Sequence, residues 1–300
     1  MKNKVFRTID LEGFTIVATF FSLWLAVSFP NGAEDFLAFL FILTFGILHG
    51  SNDIKLIEKT NSSQKTKKAT WKAALYYTLF IMGSGLLFFF LPSLALLLFI
   101  LFSGYHFGEQ HWVAKIVKRS IFNFLFFAIY GIFILFLIFS AHGLEVTKVI
   151  EQITGYALPI SLYTYGALVL GILTCFLGAF GYLRKNIRFN IIKQVFFILV
   201  LYIVFNSASL LWAFAIYFIF WHSLPSMLDQ IRYLYGGVSV GNIKKFAISS
   251  FPYWLVSVMG MGILLYLFKD SPEAALAFFF SFLAAITFPH VLVINQLFKS

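Results

Sequence analysis

Charge is what this sequence has least of. Lys, Arg, Asp and Glu make up 11% of its 300 residues and hydrophobic residues 61%, whereas soluble domains carry about a quarter charged residues. A water-soluble globule is excluded, because too few charged side chains exist to coat one. Cysteine is almost missing, and the single Cys175 rules out an internal disulfide. Histidine is sparse as well. The six present, none in His-x-x-x-His spacing, are too few for the dense histidine boxes of diiron membrane desaturases and hydroxylases. No fixed-period repeat is visible. No Ala-x-Ala-like cleavage site follows the first apolar run, so that run reads as a retained helix rather than a signal peptide.

What is present is a succession of long uncharged runs: 13–33, 36–52, 73–108, 120–144, 152–183, 194–228, 246–268 and 274–298. One membrane crossing takes about 20 mostly apolar residues, with a range of roughly 17–25. Splitting the 73–108 run at Pro92 and the 194–228 run near Asn206-Ser207 gives ten crossings. They are expected at 13–31, 35–52, 72–91, 93–112, 120–141, 159–182, 191–206, 208–227, 250–268 and 273–298. Without one or both splits the count falls to nine or eight. The fold expected is therefore all-α, a polytopic integral membrane bundle forming one domain over residues 1–300. Residues 143–158 alternate polar and apolar and are expected along the membrane interface.

The net charge of +10 points to topology rather than to nucleic acid. With both termini in the cytoplasm, 20 of the 22 Lys and Arg residues fall on the cytoplasmic side, and only Lys148 and Lys269 on the other. That asymmetry is the positive-inside bias. A nucleic-acid partner is not expected; the lipid bilayer is.

Against this background the polar residues inside the runs stand out, since ionisable groups at membrane depth are rare and usually functional. His49, His106, His222 and His290 fall on crossings 2, 4, 8 and 10, all running toward the cytoplasm. They precede the next basic residues (Lys55, Lys115, Arg232, Lys299) by 6, 9, 10 and 9 positions. At about 1.5 Å per residue, four imidazoles share one slab roughly 9–15 Å from the cytoplasmic charges. An unpaired imidazole in hydrocarbon costs several kcal/mol. A shared metal ion satisfies all four, which makes them the candidate ligands. Asp53 is four residues after His49, and Glu109 and Gln110 are three and four after His106. Such spacings share a helix face, so these three are the candidate outer-sphere partners. His111 points about 140° from His106 on the helical period, and His142 sits at a helix end. The 41 Phe residues are mostly lipid-facing and core-filling bulk. Near the slab, Phe102, Tyr105, Phe107, Trp112, Phe220, Trp221 and Phe288 are candidates to line a tunnel for an apolar substrate.

On these residues the chain resembles the Brp/Blh family of bacterial and archaeal β-carotene 15,15′-dioxygenases. The resemblance is carried by His-Gly-x-x-Asp (His49 to Asp53), Tyr-His-Phe-Gly-Glu-Gln (Tyr105 to Gln110), Trp-His (Trp221-His222) and Pro-His (Pro289-His290). It implies a helical enzyme of the cell inner membrane that holds ferrous iron by histidines. With O2 as co-substrate, it would cleave the central double bond of β-carotene into two retinals, which a microbial rhodopsin could use. Two departures stand out. The family typically carries a further histidine, counted among the iron ligands, where this chain has Ser226, and often Asp where it has His111. The resemblance leaves His290, His111 or no residue as the fourth ligand, and the common depth selects His290. It also leaves a divergent paralogue with altered or absent activity as an alternative.

An all-histidine site suits Fe(II), which needs an open place for dioxygen. Zinc would bind but has no redox chemistry. Asp53 and Glu109 are expected to orient ligands, not to act as acid or base. Two further classes compete. A membrane cytochrome would use the histidines as axial haem pairs. A transporter or rhodopsin-assembly factor would use them for proton relay or hydrogen bonding, with no metal.

Overall fold

The computed structural model describes residues 11–28, 32–60, 67–118 and 120–297. Lys2, Lys4, Arg7, Lys65, Arg119 and Lys299, which the topology expectation uses, lie outside them, as does the Asn61–Gln64 stretch. Among the described residues the chain is all-helical and without strands. Ile116 and Ile187 form one isolated antiparallel bridge between two helix-connecting turns.

The helices are α1 (Leu11–Ser28), α2 (Ala33–Thr60, broken at Ser51-Asn52), α3 (Lys67–Phe90), α4 (Pro92–Trp112) and α5 (Ile121–Ala141). The surface helix α6 (Gly143–Thr154) is followed by α7 (Ile160–Leu183) and α8 (Ile191–Ser207). The chain closes with α9 (Leu210–Tyr235), α10 (Val240–Leu267) and α11 (Pro272–Leu297). Nine of these are long and apolar enough to cross a membrane, and the 17-residue α8 is a shorter tenth. Both expected splits are present. Leu91 leaves helical geometry so that Pro92 can begin α4, where its missing N–H costs nothing. Ser207 ends α8, and Ser209 caps α9 by accepting from the Trp212 amide.

One expected boundary is wrong by ten residues. Crossing 9 is expected at 250–268, but α10 starts at Val240. The charge-free run begins only after Lys245, whereas the helix itself begins where Ser239 caps the Asn242 amide. Lysines are good helix formers, and Lys244 and Lys245 are exposed in the second turn of the helix.

α9 is the axis of the bundle: 83% of its apolar window is buried, against 6% for α3. It packs against α1, α2, α4, α5, α8 and α10. α1 faces it with an inward polar stripe of Thr15, Thr19 and Ser22 and turns Phe20, Phe21 and Trp24 outward. The Thr15 hydroxyl donates to the Phe220 carbonyl, Trp221 Nε1 donates to Thr19 Oγ1, and Trp212 Nε1 donates to the Ser22 carbonyl. In lipid, interhelical hydrogen bonds replace the hydrophobic drive as the specific glue. At the far end, Asp35 accepts from the Ser209 hydroxyl (2.6 Å) and Glu34 from the Ser209 amide (3.3 Å). Two acids thus sit where the α9 dipole is positive.

The α4–α5 pair makes backbone contact. A Cβ on Gly108 would lie 1.9 Å from the Phe127 carbonyl oxygen, and one on Gly131 would lie 1.8 Å from that of Gly104. Gly104-x-x-x-Gly108 is the small-residue spacing that lets membrane helices approach closely.

Candidate metal centre

Four imidazoles meet in the middle of this bundle. One ring nitrogen from each of His49, His106, His222 and His290 lies within 4.8 Å of the other three. The ring centroids form a closed circuit: His49–His290 4.6 Å, His290–His106 5.2 Å, His106–His222 4.6 Å and His222–His49 5.2 Å. Neighbouring planes stand 76–90° apart, so each ring meets the next edge to face instead of stacking on it. All four residues are at most 5% exposed, so bulk water does not reach the rings.

Three of the four contributing helices carry a local irregularity. α2 contains a π turn over Ile42–Gly46 immediately before His49, and α9 contains one over Tyr217–Ser223 that includes His222. A π turn adds a residue per turn and re-aims the side chains that follow, which is why such turns gather at functional sites. The carbonyls loosened in α2 find partners: Leu43 accepts from Trp254 Nε1 (2.8 Å), and Gly46 bonds His49 Nδ1. The two π turns touch through Gly46, where a Cβ would meet Phe218 at 2.7 Å. Phe218 stacks on His222 at 5.7 Å and sets its ring edge-on to His49 at 5.4 Å. In α11, Pro289 removes the amide that would bond four residues back, loosening the helix beside His290. In α4 the Gly104–Gly108 face seats against α5, which leaves His106, two residues from each glycine, on the opposite face.

Two ligand candidates have their outer nitrogen engaged. His49 Nδ1 is bonded to the Gly46 carbonyl, and His290 Nδ1 lies 2.9 Å from both oxygens of Asp53. Asp53 also accepts from the Tyr77 hydroxyl at 2.6 Å. The expected pairing of Asp53 with His49 on one helix face does not form. The helix turns at Ser51-Asn52 and restarts at Asp53, so the carboxylate leaves the His49 face and reaches α11. Asn52 pins that turn by bonding Ser249, Ser250 and the Phe246 carbonyl of α10.

The remaining predicted polar residues are dispersed. Glu109 is buried and accepts from the Tyr105 hydroxyl at 2.8 Å. Gln110 turns instead to Asp229, donating through Nε2 at 2.9 Å. His111 stacks on Tyr130 at 5.0 Å and bonds the Gln194 side chain at 2.8 Å, outside the four-histidine circuit. Ser226 is buried, and its hydroxyl accepts from Gln230, which also donates to the His49 carbonyl at 2.8 Å. Tyr77, Gln230 and the α4–α5 glycines were not singled out from the sequence. Only the glycines carried a local signal there, the Gly-x-x-x-Gly spacing.

An apolar pocket lies near the histidines; none of them lines it, and Phe107 of its wall is in contact with His222. Its walls come from α4 (Leu96, Phe99, Ile100, Phe107), the end of α5, the start of α9 and one face of α6. Of the seven aromatic residues expected to line a tunnel, Phe107 lines this cavity. It packs on His222 at 4.6 Å. The others face elsewhere. Trp112 packs with Phe126 and Phe189, and Trp221 with Phe197. Tyr105 packs on Phe124 and Phe102 pairs with Phe288, and Phe220 is not among the lining residues. The direction of each side chain follows helix rotation, which proximity in sequence to a histidine does not reveal.

The fold and the site define a multi-pass helical membrane protein with a water-excluded cluster of four histidines beside a hydrocarbon-lined cavity. The family model described as beta-carotene 15,15′-dioxygenase matches residues 40–298. The chain belongs to that family. It is also 28% identical over 272 residues to a protein of uncultured marine bacterium 66A03 named beta-carotene 15,15′-dioxygenase, covering 88% of this chain and 94% of the relative. No solved structure matches.

Proposed function

We propose that this chain is a membrane-embedded, non-haem iron dioxygenase of the inner membrane. Its reaction is cleavage of the central 15,15′ double bond of β-carotene with O2 to give two retinals, which a microbial rhodopsin could consume. The observation that carries the reading is the four-histidine circuit, in a chain that belongs to a carotene dioxygenase family.

The residues fit a bound cation. His49 Nε2, His290 Nε2 and both ring nitrogens of His106 and His222 are buried with no hydrogen-bond partner among the described residues. A buried polar atom left unmatched costs about 1–3 kcal/mol, a penalty that a shared metal removes for one nitrogen of each ring. A metal–imidazole bond of about 2.1 Å allows nitrogens to stand up to about 4.2 Å apart, so a cluster within 4.8 Å needs only small side-chain adjustment. His49, His106, His222 and His290 would hold the ion, and ferrous iron, when bound, supplies the dioxygen chemistry that zinc lacks.

The protein's own contribution is positioning. The Gly46 carbonyl and Asp53 hold His49 and His290 in the tautomer that turns Nε2 inward. Phe107 and Phe218, packed on His222, exclude water from the reacting centre. A carotene offers no polar handle, so placing its bond beside the histidines relies on the shape of the apolar wall. Asp53 and Glu109 act as orienting groups, not as acid or base.

The test is expression in cells that make β-carotene, scoring retinal and protein-bound iron for wild type and His290→Ala. Wild type is expected to yield both and His290→Ala neither. A wild type with bound iron but no retinal would indicate a divergent paralogue. Retained iron in His290→Ala would remove that residue from the ligand set.

A further inference from the structure

The cavity follows α4: Leu96 and Phe107, both on its wall, are eleven residues apart, a rise of about 16 Å, which is taken as the length of the slot. Two of its wall residues lead to His222. Phe107 lies against His222, and a column of near-parallel rings runs from Phe214 on the wall through Phe218 (5.3 Å) to His222 (5.7 Å). The other end is closed by α6. Val146, Val149, Ile150 and Ile153, at positions i, i+3, i+4 and i+7, turn one continuous apolar face into the cavity. Glu145, Lys148 and Glu151 on the opposite side are exposed. The Thr147 hydroxyl ties the helix to the Leu158 carbonyl (3.0 Å) and to Tyr163 (3.1 Å), so this roof is fastened in place.

Every residue of the lining is apolar. A hydroxyl or headgroup entering it would go unpaired, which such a site disfavours. The lining therefore suits a hydrocarbon segment. A C40 polyene is nearly as long as the ~30 Å membrane core is thick, so half of one is about 15 Å, close to the rise from Leu96 to Phe107 along the wall.

We infer that the slot is a ruler. It receives one end group and one arm of the carotenoid, α6 acts as the stop, and the stop-to-histidine length selects the central bond for cleavage. This inference rests on the carotenoid cleavage proposed above and adds which residues choose the bond. The chemistry is the same at any bond chosen: one C=C and one O2 become two C=O groups, with no further reductant.

The experiment supplies β-carotene to purified, iron-loaded wild type, Val149→Trp and Ile150→Ala. Leu144→Trp, on the exposed face of α6, is the control, and all aldehyde products are separated by length. Val149→Trp raises the stop and Ile150→Ala lowers it. Each displaces the arm and is expected to raise the share of unequal product pairs, one short aldehyde and one long apocarotenal, at least tenfold over Leu144→Trp. Ile150→Ala, which only deletes atoms, carries the test if the tryptophan variant does not fold or turn over. An unchanged product pattern in the folded variants would overturn the ruler while leaving the cleavage reading intact, and would fit a slot occupied by a lipid acyl chain. A wild type that makes no cleavage product would overturn the cleavage reading, and the ruler with it.

Discussion

His290 Nδ1 sits 2.9 Å from both carboxylate oxygens of Asp53, 237 positions away in the chain. The pair joins α2 to α11, and the Tyr77 hydroxyl at 2.6 Å adds α3. Three helices are thus tied through one buried carboxylate that is 1% exposed. This chain aims His290 and, across the circuit, the three other rings.

Loosening that tie should weaken metal binding without removing a ligand. Asp53→Asn is expected to reduce metal affinity by about 10- to 100-fold, the usual effect of losing an outer-sphere partner. Tyr77→Phe, which loses one hydrogen bond worth about 0.5–1.5 kcal/mol, should reduce it by roughly two- to tenfold. Titration of apoprotein with Co(II), followed by its visible absorption, measures both. Wild-type affinity in Asp53→Asn would refute the positioning role.

His111 should prove dispensable for the metal. Its ring is committed to Tyr130 and Gln194, so His111→Ala is expected to keep full metal stoichiometry while losing about 1–2 kcal/mol of stability. Elemental analysis together with thermal unfolding in detergent separates the two effects. A metal-free but equally stable His111→Ala protein would contradict this assignment.

The α4–α5 contact leaves no room for a methyl group. Gly108→Ala and Gly131→Ala would drive a carbon into backbone oxygens and should destabilise by about 3 kcal/mol or more. Gly83→Ala has nothing within 4 Å of the added carbon and should be neutral or stabilising by up to ~1 kcal/mol. Unfolding midpoints of the three variants give the comparison.

Metal should also stabilise the folded bundle. A ligand at a thousand times its dissociation constant adds about 4 kcal/mol, so a chelator should lower the unfolding temperature of wild type. His222→Ala, already deprived of a donor, should show little chelator response. An equal response in both proteins would argue against ion binding at these histidines.

The crossings were largely legible because hydrocarbon imposes a length and a composition on every span. Pro92 and the Asn206-Ser207 step marked real helix ends, and the polar–apolar alternation after His142 marked α6. Less legible were the start of α10, which lies among lysines, and the π turns before His49 and around His222, which follow from packing against Phe218 and Trp254. The partner of Asp53 could not be read locally, because the turn at Ser51-Asn52 is held by residues of α10 nearly two hundred positions away.

The sequence by itself determined a many-spanned helical membrane protein with four histidines at one depth, since charge, hydrophobic length and helical rise are local quantities. Only the tertiary structure decided that those histidines face one point, that Asp53 serves His290, and that Phe107 alone of the named aromatics walls the cavity. Which way a side chain points depends on how its helix is rotated and kinked, and neighbouring helices set that rotation by packing.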